Sequence, residues 1–206
     1  MRICHRYRDL MDTKNMDYMD INDYDLVNED EHNCKLYTKD DTDKLAIKYV
    51  YGLKAQDIAE YFWNVNSKIK LEWDSSLQSM RILEKLSPNC AILHLKMKRI
   101  WPAKPRDCII CSEILQVNKN EWIVNNQSID YDLNEIDDID YVRMTCNINM
   151  RVVQINTNLC QITYTAKLDV GGYIPNMLVK NRCHKEWSNV LENLCVKLKE
   201  RLNGIS

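Results

Sequence analysis

Glycine is scarce in this chain, with 4 residues in 206. Two of them are adjacent, Gly171 and Gly172, and no glycine-rich loop that could cradle a phosphate is present. Charge of one sign is not in excess either: 28 Lys+Arg against 30 Asp+Glu leave a formal net charge of −2. Nucleic acid is therefore not an expected partner, and any attraction to an anionic membrane must be local. No apolar run approaches the roughly 20 residues that span a bilayer, so work at a membrane is done from the water side. The opening MRICHRYRDL lacks the uninterrupted apolar stretch of a signal peptide. The expectation is a cytoplasmic protein, peripheral to membranes, with any targeting segment lying upstream of this chain.

What is present is an ordinary globular balance, 45% hydrophobic and 28% charged, at a length suited to a single core. The nine cysteines are odd in number, and several lie in apolar runs (Cys90, Cys108, Cys111, Cys160, Cys195). They read as buried, reduced thiols rather than a disulfide framework. Cys108-x-x-Cys111 on a strand points its two side chains to opposite faces, so a shared zinc ion is not expected. The four histidines (His5, His32, His94, His184) are scattered, and none stands beside a nucleophile and an orienting acid. No metal, cofactor or catalytic residue is expected.

Periodicity supplies the architecture. Strands are expected at 34–38 and 45–51. A helix follows over 54–64, where Ala55, Ile58, Ala59 and Phe62 recur at helical spacing, and a second short helix over 67–76. Ala91, Leu93, Leu95 and Met97 alternate with Ile92, His94, Lys96 and Lys98, which predicts a strand with one wet face. Further strands at 107–117, 121–129, 141–155 and 159–170, joined by short polar connections, suggest a meander. A long C-terminal helix then aligns Val179, Cys183, Trp187, Val190, Leu191, Leu194, Leu198 and Leu202 in one apolar stripe, with Pro175 just before it. The fold class is α+β: a long curved antiparallel sheet wrapped around a C-terminal helix, a helix-grip arrangement. It occupies one domain over 23–206. Residues 1–22 form an extension or a degenerate first helix, with a short helix at 7–16 or partial disorder as the options.

Four separated segments resemble the START family of lipid-transfer domains, in the same order: YFWNVNSKIKLEWDSSL (61–77), KRIWPAKPRD (98–107), EWIVNNQSID (121–130) and CQITYTAKLDVGGYIP (160–175). The nearest subfamily is that of the ceramide transfer protein. The resemblance implies non-enzymatic lipid transfer. One phospholipid or sphingolipid, ceramide-like, is held head-inward in a hydrophobic tunnel and moved between membranes by a monomer that touches them transiently. It places a buried cation on Lys70, its acidic partner on Asp74, the head-group asparagine on Asn126 and a further polar contact on Tyr164. The implied cavity lining is Trp73, Leu93, Leu95, Cys108, Asn147, Val179, Cys183 and Trp187. Lid and membrane contact fall on Trp101, Pro102, Gly171, Gly172, Tyr173 and Ile174. Lys98, Arg99, Lys104 and Arg106 add local attraction for anionic lipid.

Departures from the family pattern blur the cargo. Leu95 stands where the ceramide binder has a glutamine. Leu95, Cys108 and Asn147 stand where the phosphatidylcholine binder builds an aromatic cage, which a quaternary ammonium needs. Lys70 replaces an arginine, giving a point charge for a bidentate fork. Each site also has a plainer reading. By spacing alone Lys70 and Asp74 are an exposed i,i+4 helix pair; facing a cavity, each would have to satisfy the other. Asn126 on a strand would face solvent, Tyr164 would pack with its hydroxyl at the rim, Gly171-Gly172 would be a tight turn, and Trp101 would pack behind Pro102. Two rivals to transfer stand beside it: a lipid sensor that never transfers, and a helix-grip enzyme with Asp74 as its candidate acid or base.

Overall fold

The computed structural model describes residues 21–29, 34–39, 43–99, 102–131, 140–172 and 176–204, without the side chains of residue 22 and of residues 176–188. After a 3-10 turn at Ile21–Asp23, three strands follow: β1 (Asp25–Glu29), β2 (Cys34–Thr38) and β3 (Asp43–Tyr51). Two short helices, α1 (Ala55–Trp63) and α2 (Ser67–Trp73), lead into β4 (Leu77–Ser87), β5 (Cys90–Met97), β6 (Arg106–Asn118) and β7 (Glu121–Ser128). The chain ends with β8 (Val142–Arg143), β9 (Thr145–Asn156), β10 (Leu159–Asp169) and the long helix α3 (Asn176–Leu202). Of the expected extension over 1–22, residues 1–20, including the short helix at 7–16, lie outside the described residues, and residues 21 and 22 begin the 3-10 turn.

The ten strands make one sheet in the order β1-β2-β3-β10-β9-β7-β6-β5-β4, with β8 added in parallel to β6. From β4 to β10 it is the expected antiparallel meander. The seam between β3 and β10 then joins the N-terminal strands to it, running from Leu159 opposite Tyr51 to Lys167 opposite Asp43.

Side-chain parity sorts the two faces. On β9 Cys146, Met150 and Val152 are buried toward the helices, and on β10 Cys160, Ile162, Tyr164 and Ala166 join them, as period-2 alternation requires. Ile58, Ala59 and Phe62 of α1 and Leu191, Leu194, Cys195 and Leu198 of α3 close the same core. Each fully buried aliphatic side chain contributes about 1.5–3 kcal/mol. The apolar stripe of α3 stops short of its expected end, because Leu202 is exposed.

Local chemistry explains the helix ends. Lys54 offers no capping oxygen, so the Ala55 N–H donates instead to Gln154 Oε1 of β9 at 2.8 Å. Asn66 caps α2 by accepting the Lys68 N–H at 3.0 Å. That helix ends at Trp73, three residues earlier than expected, because the Asp74 carboxylate folds the next turn: Oδ1 accepts from the Ser76 N–H at 3.1 Å and Oγ at 2.6 Å.

The expectation of a wet outer face on β5 needs correction. Ile92 and His94 are buried there: the chain leaving β7 crosses the face at Ile92, and His94 is paired with the buried Asp107 of β6. Ile129 and Tyr131 pack with Leu83, Leu86, Ile92 and Ile109, and the Ile129 N–H donates to the Ile109 carbonyl at 3.1 Å. Only the end of the strand, at Lys96, rises toward solvent. β4 was not expected at all. Register shifts at three places interrupt its pairing with β5 and scramble the alternation that would have revealed it. The long strand expected over 141–155 is broken at Met144, where pairing passes from β6 to β7 and β10.

Candidate functional site

Lys70 occupies the last turn of α2. Its Nζ donates to the Phe62 carbonyl at 2.6 Å and lies 4.3 Å from the Phe62 ring centroid and 4.4 Å from that of Trp73. The stem is only half-buried, but the ammonium is enclosed. Burial pulls its pKa down to about 8, partly offset by the nearby Asp74 carboxylate. Phe62 packs against Trp73 at 5.6 Å between centroids and edge-on against Tyr164 at 6.0 Å and 84°. Phe62 and Trp73 therefore box the cation on two sides, with Tyr164 packed behind Phe62. Buried cation–π contacts of this kind are worth about 2 kcal/mol.

Asp74 does not play the part that mutual satisfaction assigned to it. Among the described residues Lys70 and Asp74 form no ion pair, since the carboxylate is committed to Ser76 and the ammonium to Phe62. Its charge still reaches the box. Burial, and then Asp74, push the Tyr164 phenol far above the ordinary tyrosine range.

Higher on the inner face, Asn126 is buried on β7, opposite Ser112 of β6 and Ile148 of β9. The Ser112 Oγ donates to Asn126 Oδ1 at 2.6 Å. Sequence reasoning missed Ser112, although it sits four residues along β6 from Cys108 and shares its face. Small side chains, Ala91 beside Ser112 and Ala166 beside Ile148, leave the row shallow. Leu93, Leu95 and Cys108 gather above it with Met80, Ile110, Met144 and Cys146. Contact with Cys146 and burial push the Cys108 thiol well up. Cys111 lies on the opposite face, its sulfur 3.6 Å from that of Cys90. The indole of Trp73 is 1% exposed, and its Nε1 has no hydrogen-bond partner among the described residues.

Asn147 requires a correction. It stands exposed on the outer face of β9, where it accepts from Asn149 Nδ2 at 3.0 Å, while its neighbours Cys146 and Ile148 turn inward. Of the other candidates, Val179, Cys183, Trp187, Trp101, Tyr173 and Ile174 lie outside the described residues or side chains. Pro102 is exposed.

At the end of the sheet where β10 stops, Gly171 and Gly172 have φ of 58° and 63°, left-handed values that favour glycine. A Cβ on Gly171 would sit 2.6 Å from the Arg143 carbonyl. Of the four basic residues expected to attract lipid, Lys98, Arg99 and Lys104 are exposed, but Arg106 is buried. Its Nε donates to the Val170 carbonyl and its Nη2 to that of Gly171, each at 3.2 Å, and Nη1 donates to the Lys104 carbonyl. Beside it Arg143 binds Asp107 through two hydrogen bonds, 2.9 and 3.1 Å, and Asp107 also meets His94 Nε2 at 2.7 Å.

Comparison with known proteins agrees with this geometry. The START domain profile matches residues 19–201. The ceramide transfer protein of Xenopus tropicalis is 29% identical over 175 residues, which is 76% of this chain and 28% of that protein. The chain thus spans less than a third of the relative's length. Among solved structures, human STARD10 superposes with a TM-score of 0.75 at 16% identity, covering 98% of this chain and 82% of the other. Human StAR-related lipid transfer protein 5 gives 0.74 at 12% identity, covering 97% and 96%. These two likenesses show the helix-grip fold.

Proposed function

The chain belongs to the START domain family, and from that premise we propose that it is a lipid carrier, taking up one phospholipid or ceramide-like sphingolipid and moving it between membranes without chemical change. One observation carries this reading: several polar groups face a largely apolar interior. Lys70 in its aromatic box, Tyr164 and Asn126 all face the space between sheet and helices, and the Trp73 indole beside them has no partner among the described residues. A buried unpaired donor costs about 1–3 kcal/mol, and a lipid oxygen would relieve it.

Transfer needs a shelter for the chains. Each CH₂ moved from bilayer to water costs about 0.8 kcal/mol, so an unaided two-chain lipid faces tens of kcal/mol. An apolar interior removes most of that cost. The lipid enters head first as the Val170–Gly172 turn swings aside. Lys70, Asn126 and Tyr164 then satisfy its phosphate, carbonyl or hydroxyl oxygens, with Asp74 biasing the field. A lysine serves phosphate and hydroxyl alike, and Leu95 adds no amide contact, so the reading extends to several head groups. The protein acts as a monomer that touches membranes only transiently; among the described residues no helix is long and apolar enough to cross one.

A liposome-to-liposome assay with labelled lipids tests the proposal, paired with mass spectrometry of lipid that copurifies. Net movement of intact lipid is expected. Binding without movement would sink the carrier reading in favour of a sensor, and chemically altered lipid would point to an enzyme.

A further inference from the structure

Arg106 is 9% exposed and has no carboxylate partner among the described residues. Its guanidinium is satisfied by three neutral carbonyls, those of Lys104, Val170 and Gly171. The contrast with the adjoining arginine is sharp, since Arg143 sits on Asp107 in a two-bond pair. Among the described residues this buried cation has no counter-ion, an unfavourable arrangement, and burial lowers its pKa. It is also a strong anion receptor: a phosphate would meet the guanidinium fork with both partners ionised, whereas its present acceptors are neutral carbonyls.

What Arg106 holds is the Val170–Gly171 backbone, where the chain leaves β10. Two of its three acceptors are carbonyls of that stretch, and it presses on β8, where Gly171 meets the Arg143 backbone. The connection from β5 to β6 supplies the approach. It carries the exposed cations Lys98, Arg99 and Lys104, and is braced by Arg99 Nε donating to the Ala103 carbonyl at 3.2 Å.

We propose that Arg106 is a phosphate-responsive latch: it fastens the Val170–Gly171 turn through carbonyls and releases it by exchanging them for a phosphate oxyanion of a lipid at the bilayer surface. The idea rests on the carrier reading for what the turn admits, but the exchange chemistry stands on Arg106 alone. Solvent screens phosphate away from the latch. At a bilayer the exposed lysines and Arg99 concentrate it beside the guanidinium, and the planar fork fits it bidentately. The freed carbonyls pass to water.

Hydrogen exchange at the Gly171 and Gly172 amides of the full chain reads the latch, with β7 amides as the control for global unfolding. Vesicles of phosphatidylcholine containing phosphatidic acid should speed exchange at the turn, and vesicles of uncharged galactolipid should not. Arg106→Gln should exchange roughly tenfold faster without vesicles and show no further response. Arg106→Lys, which keeps the charge and loses the fork, should fall between and is the variant to read if the glutamine protein misfolds. Wild-type exchange rates in both variants, or equal acceleration by galactolipid, would overturn the latch. A response to inorganic phosphate as large as to vesicles would assign it to a soluble anion and overturn the bilayer trigger. Lipid transfer with an unresponsive turn would sink the latch alone; a responsive turn without transfer would sink the carrier reading alone.

Discussion

Phe62 holds Lys70 twice: its carbonyl accepts the ammonium at 2.6 Å while its ring lies 4.3 Å away under the same charge. The hydrogen bond survives any substitution at position 62; the ring does not. Position and electrostatics of this cation can therefore be separated by mutation.

Lys70→Met should leave the fold intact, because burial disfavours the charged ammonium and removing it relieves that desolvation. Loading of an anionic phospholipid should fall about tenfold, the equivalent of one charge-assisted hydrogen bond. Thermal unfolding and quantitative lipid mass spectrometry check the two halves. Unchanged loading would remove Lys70 from the site.

The lowered pKa of Lys70, about 8, sets a pH window. Below it the ammonium is charged and attracts phosphate; above it the amine is neutral. Loading of phosphatidic acid should decline as pH rises through about 8, while loading of uncharged ceramide stays level. Stability moves the other way for this group. The unfolded lysine holds its proton up to 10.5, so between about 8 and 10.5 the unfolded state binds more protons and its contribution to stability rises with pH. Vesicle-binding titrations and denaturant melts at matched pH test both signs.

Ser112→Ala removes the donor that orients Asn126. The expected cost is about 1 kcal/mol in denaturant unfolding, together with weaker loading of ester- and amide-linked lipids alike. Ser112→Thr, which keeps a hydroxyl, should restore loading. Failure of the threonine to rescue would mean that the serine matters for packing rather than for its bond to Asn126.

Gly171→Ala and Gly52→Ala form a matched pair. Both positions have positive φ, 58° and 76°, but nothing lies within 4 Å of a Cβ at Gly52, whereas one at Gly171 meets a backbone oxygen at 2.6 Å. Gly52→Ala should cost about 1–2 kcal/mol from backbone strain. Gly171→Ala should cost more than that and alter the rate of lipid transfer, which Gly52→Ala leaves unchanged. Melting curves and the liposome assay decide.

Where one periodicity governed a segment, the sequence was easy to read. Ala55, Ile58, Ala59 and Phe62 mark α1, and the run Cys146, Ile148, Met150, Val152 marks β9. That same run sets Asn147 on the opposite face, against the cavity role that family likeness assigned to it. Ile92 and His94 were illegible for another reason: residues further along the chain cover them, Ile129 and Tyr131 over Ile92 and Asp107 beside His94, and no local pattern records such contacts. The Lys70 position came from likeness, but its partner did not. Spacing offers Asp74 one turn on, whereas the actual acceptor is a backbone carbonyl, which every residue has and no sequence advertises. Arg106 was grouped with surface cations because its neighbours are such; only the turn folding back over it shows otherwise.

The seam between β3 and β10 sets an order of events during synthesis. Tyr51 finds its partner Leu159 only after more than a hundred further residues have been made. Until then the side of β3 that β10 will cover stays open on the ribosome. Such long-range pairing is slow and exposes strands to wrong partners. Yield at elevated temperature should therefore be governed by how quickly the C-terminal third arrives, and a truncation before residue 159 should produce aggregates rather than a smaller folded domain.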